Sequence, residues 1–328
     1  MHHSDRSYFE RIFDGCSKLD SVTLAVGYGT RGGSKMPQLA FAETLTSPFG
    51  DTSLEAQGVG QLNALAYGLY YGRRPLRDLT LSEISPRAFY PVPRADSIKQ
   101  HLMESLHRFR LSVGTFIVKD DGEEAERVLD ETAGVVQARN LHAYIRAATG
   151  LQELKLHFAT GEHLEPRVPF DAIFEETTWS KLRKLQLSHV TAGDRKLVEM
   201  LFRHKDTLEI LDLNYMELYD GSWESVFKEI AGKLPCLRRV RLRGSLVDED
   251  GIGEFNFHPV MFWARRDAIE TVILKGGEWP DLKAMSDVER YPWDVPNYAE
   301  PELERDDDGC PSDDSAESTN RTSLSACK

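Results

Sequence analysis

The chain has 328 residues and 41% of them are hydrophobic, which is enough to bury a sizeable core. No apolar run approaches the roughly eighteen residues of a membrane span, and the N-terminus has no signal segment, so we expect a protein of the cytoplasm or nucleus without a membrane partner. The net charge of −13 argues against nucleic acid as a partner.

A six-residue leucine motif, Leu-x-x-Leu-x-Leu or a close variant, recurs along the chain. In an extended strand its last two leucines point to one side and the intervening residues to the other. The first leucine is expected to pack where the chain turns into the strand. The motif therefore predicts eight strands, at residues 19–24, 76–81, 106–111, 151–156, 182–187, 208–213, 237–242 and 269–274.

The intervals between the motifs carry apolar residues at helical spacing. The clearest helices are predicted over 194–205 and 222–233, and the second begins at Ser222, a residue type that often caps helix N-termini. Further helices are predicted over 5–16, 53–71, 96–106 and 123–149.

One strand and one helix per unit of about thirty residues is the pattern of a stacked-repeat fold. The sequence therefore predicts an α/β leucine-rich-repeat solenoid over residues 1–282, curved so that strands line the concave face and helices the convex face. Two motif intervals are too long, and we assign the excess to loop insertions near 27–50 and 112–122. Residues 283–328 are predicted to form a terminal cap segment and a disordered acidic tail, since ten acidic and three basic residues lie between 294 and 328.

Two short motifs resemble enzyme sites but have a simpler structural interpretation. Residues 27–32 match G-x-G-x-x-G after a predicted strand, yet no helix begins there to hold a dinucleotide phosphate, so a loop is favoured. Residues 225–228 match S-x-x-K inside a predicted helix, without the second motifs of penicillin-recognising enzymes. We therefore predict no catalytic residue.

The residue types that bind metals are scattered. None of the ten histidines and four cysteines falls in an H-E-x-x-H or C-x-x-C pattern. The wide spacing of the cysteines suits reduced thiols better than a disulfide framework. The sequence predicts neither a metal nor a cofactor; the four cysteines are Cys16, Cys236, Cys310 and Cys327.

The residues between the motif leucines form a candidate binding surface on the predicted concave face. Three arginines alternate along the seventh predicted strand, and we call them the arginine stripe: Arg239, Arg241 and Arg243. Guanidinium groups bind carboxylates and phosphates through paired hydrogen bonds. We therefore predict recognition of a protein or peptide partner that is acidic or phosphorylated, with further contacts from Asp212, Asn214, Arg108 and Arg110.

The alternative to a binding surface is a solvated strand that Asp212 and Asp248 partly neutralise. If the stripe does bind anions, the acidic tail could compete with a partner for it. A third possibility, an enzyme with an unrecognised site, has no cluster of titratable residues in its favour.

Residues 179–244 resemble the C-terminal leucine-rich region of fungal F-box proteins. The resemblance lies in KLRKLQLSHVTAGDRKLVEMLFRHKDTLEILDLNYMEL at 181–218 and GSWESVFKEIAGKLPCLRRVRLRG at 221–244. It implies a substrate receptor of a cullin-type ubiquitin ligase, in which an N-terminal F-box docks on a Skp-type adaptor. No F-box is found in this sequence, so either the protein lacks one or the chain begins inside a longer protein.

Overall fold

Each of the first seven leucine motifs ends in a β-strand. An α-helix lies in each interval between these strands. The computed structural model describes residues 19–25, 54–73, 75–90, 95–113, 130, 133–134, 136–137, 139–158, 168–249, 255–257 and 263–285. All of them belong to one compact unit, 1–27 with 38–289; the second unit, 28–37 with 290–328, contains no described residue. The predicted helix at 5–16, the insertion near 27–50, most of the insertion near 112–122 and the acidic tail lie outside the described residues.

The described part contains ten β-strands. Seven correspond to leucine motifs: β1 Ser21–Ala25, β2 Asp78–Ile84, β3 Arg108–Val113, β4 Glu153–Phe158, β6 Lys184–Ser188, β8 Ile210–Asp220 and β9 Arg239–Val247. No motif predicted the other three, which are β5 Val168–Pro169, β7 Val190–Gly193 and β10 Phe255–Phe257.

Eight α-helices are found in the same part of the chain. They are α1 Leu54–Tyr71, α2 Ala95–Glu104, α3 Asn140–Ala147, α4 Phe170–Phe174, α5 Asp194–Arg203, α6 Trp223–Ile230, α7 Trp263–Lys275 and α8 Leu282–Met285. The helices predicted at 53–71, 96–106, 194–205 and 222–233 are confirmed, as is the C-terminal part of the one predicted at 123–149.

The eighth predicted strand, 269–274, is wrong, because this segment lies in α7. Ile269 and Ile273 are four residues apart, and both are fully buried. That spacing places two side chains on one face of a helix. The first step of the leucine motif, three residues, fits a helix equally well, so the motif alone could not distinguish the two structures.

The strands form one open sheet. Its parallel strands follow the order β1-β2-β3-β4-β6-β8-β9, and β10 is antiparallel to β9. Strand β8 has 11 residues. Its N-terminal half pairs with β6 and its C-terminal half with β7, which in turn pairs with β5.

The predicted leucine-rich-repeat solenoid is wrong, although the α/β class is right. The structure is an α/β fold with a single open, largely parallel sheet whose main strands are ordered consecutively. The leucine motif specifies which side chains are buried together, but not a constant rotation from one unit to the next. Its spacing is also irregular: the starts at 182 and 208 are 26 residues apart, whereas those at 19 and 76 are 57 apart.

Rows of leucines cross the sheet and form its core. Leu156, Leu187, Leu213 and Leu242 lie side by side in four neighbouring strands, and all are fully buried. The buried side chains of the helices join the same core. Burial of each leucine stabilises the fold by about 1.5–3 kcal/mol, so the leucines decide which face of each strand turns inward.

A repeated hydrogen-bond pattern sets the register at the strand entrances. The carbonyl oxygen of Gln152 accepts the N–H groups of Arg183 at 2.7 Å and Lys184 at 3.0 Å. The same pair of bonds recurs at each step from Asp20 to Arg239. Because the register is the same at each step, alternate side chains line up in rows on the face opposite the leucines.

Aspartates at the carboxyl ends of the long strands fix the starts of two helices. The Asp220 carboxylate accepts the N–H of Asp194 at the start of α5, at 2.9 Å. Asp248 does the same for Trp223 at the start of α6, at 2.7 Å. Ser222 is confirmed as a cap, since its Oγ accepts the N–H of Ser225 at 3.2 Å. These acceptors satisfy helix N–H groups that have no partner within the helix.

Candidate functional site

The face of the sheet opposite the leucines is polar, and we call it the polar face. It consists of the side chains that alternate with the buried ones in β1–β4, β6, β8 and β9. Strand register arranges them in three rows: Asp78, Arg108, Glu153, Lys184, Ile210 and Arg239; then Thr23, Thr80, Arg110, Lys155, Gln186, Asp212 and Arg241; then Ser112, His157, Ser188, Asn214 and Arg243.

Charge is unevenly distributed over the molecule. The three rows of the polar face carry seven basic side chains and three acidic ones, whereas the chain has a net charge of −13. The polar face is therefore a positive surface on an acidic protein. Such a surface attracts anionic ligands and speeds their association.

Ion pairs neutralise much of the charge on β2, β3 and β4. Arg108 pairs with Asp78 on the neighbouring strand. Glu153 lies 3.0 Å from Arg110 and 3.5 Å from Lys184. The positive charge on this side of the polar face is thus partly compensated within the fold.

The structure brings five of the seven predicted site residues together on β8 and β9. Register aligns Asp212 with Arg241, and Asn214 with Arg243. Arg239 and Arg243 are exposed, and Arg241 is half-buried. Within the described residues, no ion pair is found for Arg239.

The other two predicted residues, Arg108 and Arg110, are not part of this group. They lie on β3, four strands from β9 in the sheet. At roughly 4.8 Å per strand this places them about 19 Å from the arginine stripe. The predicted site therefore divides into a partly neutralised group on β3 and the stripe with its neighbours on β8 and β9.

Asp212 is the acidic member of the second group. Its side chain is 4% exposed, and its Oδ2 lies 3.5 Å from Nη2 of Arg243. Its Oδ1 is buried without a hydrogen-bond partner among the described residues. Burial raises the pKa of Asp212 above its usual value, although Arg243, Arg241, Lys155 and Lys184 oppose this shift.

A cluster of rings lies at the carboxyl ends of β4 and β6 and beside β8. The ring of His189 packs at 5.3 Å from that of His157 and stacks at 5.0 Å on that of Tyr215. His189 and Tyr215 both have positive φ, +58° and +47°, a region that bulky residues rarely adopt. The fold thus holds this cluster in a strained backbone conformation.

Hydrogen bonds orient the cluster. Asn214 donates from Nδ2 to Ser188 Oγ at 3.1 Å, and Ser188 Oγ lies 2.9 Å from His189 Nδ1. Burial, and then the charge of His157, lower the pKa of His189 to about 4. Burial also lowers the pKa of His157. Both rings are therefore neutral at neutral pH, and the cluster offers hydrogen-bonding groups without adding charge.

Sequence reasoning missed this cluster, because it treated the histidines as scattered. A signal was available: His157 directly follows Leu156, and His189 comes two residues after Leu187. Both motifs end in strands that lie side by side. Residues that closely follow the motifs of neighbouring strands are brought near each other by the register, which pairs His157 with Ser188, the neighbour of His189.

The S-x-x-K match is part of helix α6. The N–H of Ser225 donates to the capping Ser222, and Lys228 pairs with Glu224 one turn earlier. Ser225 is exposed on this helix. This arrangement is that of a capped surface helix, whereas the G-x-G-x-x-G match lies outside the described residues.

An open cleft of about 880 Å³ lies between helices. Its polar lining is mixed in charge, and Arg139 pairs with Glu175 across it at 2.8 Å. The apolar part is formed by Phe170 and Phe202. Because opposite charges pair within the cleft, it lacks the one-sided charge of the polar face.

The described ranges contain no cluster of three or more histidine, cysteine or acidic side chains that could hold a metal ion. Cys236 is a free thiol there, and its Sγ lies 3.2 Å from the carbonyl oxygen of Asp206. The other three cysteines lie outside these ranges. Of the helices in the described part, none is both long and apolar enough to span a bilayer.

No protein-family model, curated protein or solved structure matches the chain. The resemblance of residues 179–244 to fungal F-box proteins therefore stays a prediction.

Proposed function

We propose that this chain is a protein-recognition module, without catalysis, whose polar face binds an acidic or phosphorylated segment of a protein partner. The observation that supports this most is the excess of seven basic over three acidic side chains on one sheet face of a chain with net charge −13. Complementary charge gives such surfaces fast association and selectivity.

The arginine stripe is the part of the face best suited to this role. Its three side chains alternate along one strand, so they project about 6.8 Å apart at roughly 3.4 Å per residue. Alternate residues of an extended peptide have the same spacing. Acidic or phosphorylated residues at every second position could therefore each meet one guanidinium group.

The ion pairs on β3 leave the arginine stripe on β9 as the more favourable place for an anionic ligand. The cations of β3 are paired with Asp78 and Glu153. Arg239 has no ion pair in the described part, and Arg243 keeps 47% of its side chain exposed. The stripe thus offers at least the guanidinium group of Arg239 to a ligand without the loss of an ion pair in the described part.

The proposal is tested with a labelled phosphoserine peptide and its unphosphorylated and glutamate-substituted copies, by fluorescence polarisation with the intact chain. We expect the phosphorylated and acidic peptides to bind, and their affinity to fall with added salt. The variant Arg239→Gln/Arg241→Gln should weaken binding about tenfold or more, because each charged hydrogen bond contributes about 1.5–3 kcal/mol.

The matched control is Lys181→Gln/Lys205→Gln, which removes two exposed cations outside the polar face. It changes net charge by the same amount and should leave the affinity nearly unchanged. Equal losses in both variants would show that only overall charge matters, and the proposal would then be wrong.

A further inference from the structure

Asp212 is a carboxylate buried in a group of cations on the polar face. Its side chain is 4% exposed, whereas that of neighbouring Arg243 is 47% exposed. The other cations that act on it electrostatically are Arg241, Lys155 and Lys184. We call these four residues the cation cluster. Asp212 is thus a buried negative charge with four positive ones around it, one of which, Lys184, also pairs with Glu153.

One oxygen of this carboxylate lacks a hydrogen-bond donor. Asp212 Oδ1 is buried, and none of the described residues donates to it. Buried polar atoms in native proteins are nearly always hydrogen-bonded, and an unpaired charged acceptor is costly. An acceptor in this state, within a surface proposed to bind a ligand, indicates that the ligand supplies the donor.

The surroundings of Asp212 restrict what that ligand can be. The cation cluster repels a lysine or arginine side chain and attracts an anion. The anion must also bring a hydrogen for Oδ1. A carboxylate or a sulfate group carries no hydrogen near neutral pH, whereas a phosphate monoester, with a second pKa of about 6, keeps one at mildly acidic pH and can take one up when it lies against a carboxylate.

We propose that the cation cluster and Asp212 form a binding site for a phosphate group on the partner segment. In this site a phosphate hydroxyl donates to Asp212 Oδ1, and the other phosphate oxygens accept hydrogen bonds from the arginines and lysines. The inference rests on the proposed function and narrows it from acidic segments in general to phosphorylated ones.

The arrangement makes Asp212 a specificity-determining residue. A phosphate pairs its hydrogen with Oδ1, whereas a sulfate or carboxylate places an acceptor against an acceptor. A site built to hydrogen-bond a ligand group rejects analogues that lack the group, because its own polar atom is left unpaired. The long, half-exposed side chain of Arg243 is positioned to move from Asp212 to the incoming phosphate.

The test is a competition experiment with the intact chain and the labelled phosphoserine peptide. Inorganic phosphate and sulfate are the competitors, at about pH 6, where inorganic phosphate and about half of the phosphoserine probe carry a hydrogen and sulfate carries none. We expect phosphate to compete at about tenfold lower concentration than sulfate, since sulfate leaves the buried carboxylate unpaired. Equal potency overturns the inference while the proposed function stands; failure of the peptide to bind at all overturns both.

Two variants test whether Asp212 causes the preference for phosphate over sulfate. Asp212→Asn should make phosphate and sulfate nearly equal competitors, because its carboxamide can donate to either anion. Asp78→Asn is the matched control: it lies on the same face, but its carboxylate is paired with Arg108, which is not part of the cation cluster, so the preference should persist. Retention of the preference in Asp212→Asn overturns the inference, and if that variant fails to fold, the comparison with the unaltered chain decides.

Discussion

The side chain of Glu270 forms a hydrogen bond with the backbone of Leu242 at the edge of the sheet. Its carboxylate accepts a hydrogen bond from the backbone N–H of Leu242, at 2.8 Å. Strand β10 pairs with β9 only over Gly244–Leu246. Helix α7 thus supplies an acceptor for a backbone group that an edge strand would otherwise leave unpaired.

This contact should make stability depend on pH. Burial raises the pKa of Glu270 from 4.5 to about 7, against the opposing effect of the Leu242 hydrogen bond. The folded state therefore favours the protonated form of Glu270. The stability that Glu270 contributes is fully present below pH 4.5, the unfolded-state value, and is lost as the pH rises through about 7. Converted to free energy, this pKa shift is about 3 kcal/mol. That figure is an upper limit for the loss of stability, because the side chain is partly solvated.

Glu270→Gln should remove this decline, since the amide oxygen can accept the same N–H without a charge. Denaturant titrations of both proteins across this pH range measure the free energy of unfolding. We expect the variant to be the more stable protein above neutral pH. A parallel pH dependence in the two proteins would contradict the assignment to Glu270.

Glu270 also shows where sequence reasoning reached its limit. The leucine motif correctly predicted seven strands because Leu-x-Leu specifies one buried face of a strand. It failed at 269–274, where buried Ile269 and Ile273 belong to a helix that closes the sheet edge. Which element covers an edge depends on contacts between distant segments, and local spacing does not encode them.

Arg243 and Asp212 should be energetically coupled. Arg243→Gln leaves the buried carboxylate without its nearest cation, and we expect a loss of about 1–2 kcal/mol in the free energy of unfolding. In an Asp212→Asn background the same substitution should cost almost nothing. A double-mutant cycle measures this coupling by denaturant titration. Equal costs in the two backgrounds would show that Arg243 stabilises the fold through other contacts.

The arginine stripe was predictable from the sequence, but Asp212 was predicted only as a surface contact. Alternation in β9 was enough to place Arg239 and Arg243 on one exposed face. The burial of Asp212 depends on neighbours from β4, β6 and β9, which come together only through the strand register. The lack of a hydrogen-bond donor for Asp212 Oδ1 also follows from how these strands come together, and local sequence spacing does not predict it.

His204 should contribute a stability that is lost in mild acid. Its Nε2 accepts the N–H of Trp179 at 3.0 Å, so this nitrogen must be unprotonated. Nδ1 in turn donates to the carbonyl oxygen of Met200 at 2.9 Å. Burial lowers the pKa of His204 below 6.5, so its contribution is present above that pH and is lost as pH falls from there through the folded-state value.

Replacement by phenylalanine keeps the packing against Trp179 but leaves its buried N–H without an acceptor. We expect His204→Phe to cost about 1–3 kcal/mol at neutral pH and to flatten the loss of stability in acid. The free energy of unfolding from pH titrations checks both effects. An equally steep loss of stability in acid in His204→Phe and in the unaltered chain would contradict the assignment to His204.

Gly244 is required by the ring of Tyr215. A Cβ added at Gly244 would lie 2.7 Å from two carbons of that ring, and the residue has a φ of +62°. Gly244→Ala should therefore cost more than the backbone penalty of about 1–2 kcal/mol for a positive φ. Gly276→Ala isolates that penalty, because φ is +71° there and the nearest atom would be 3.6 Å away.

The difference between the two alanine variants in the free energy of unfolding measures the steric cost alone. Tyr215→Ala in the Gly244→Ala background should remove most of that difference, since the ring that the new methyl group meets is gone. Equal destabilisation of Gly244→Ala and Gly276→Ala would mean that the ring moves aside freely. The ring cluster of His157, His189 and Tyr215 would then not be held rigidly against the sheet.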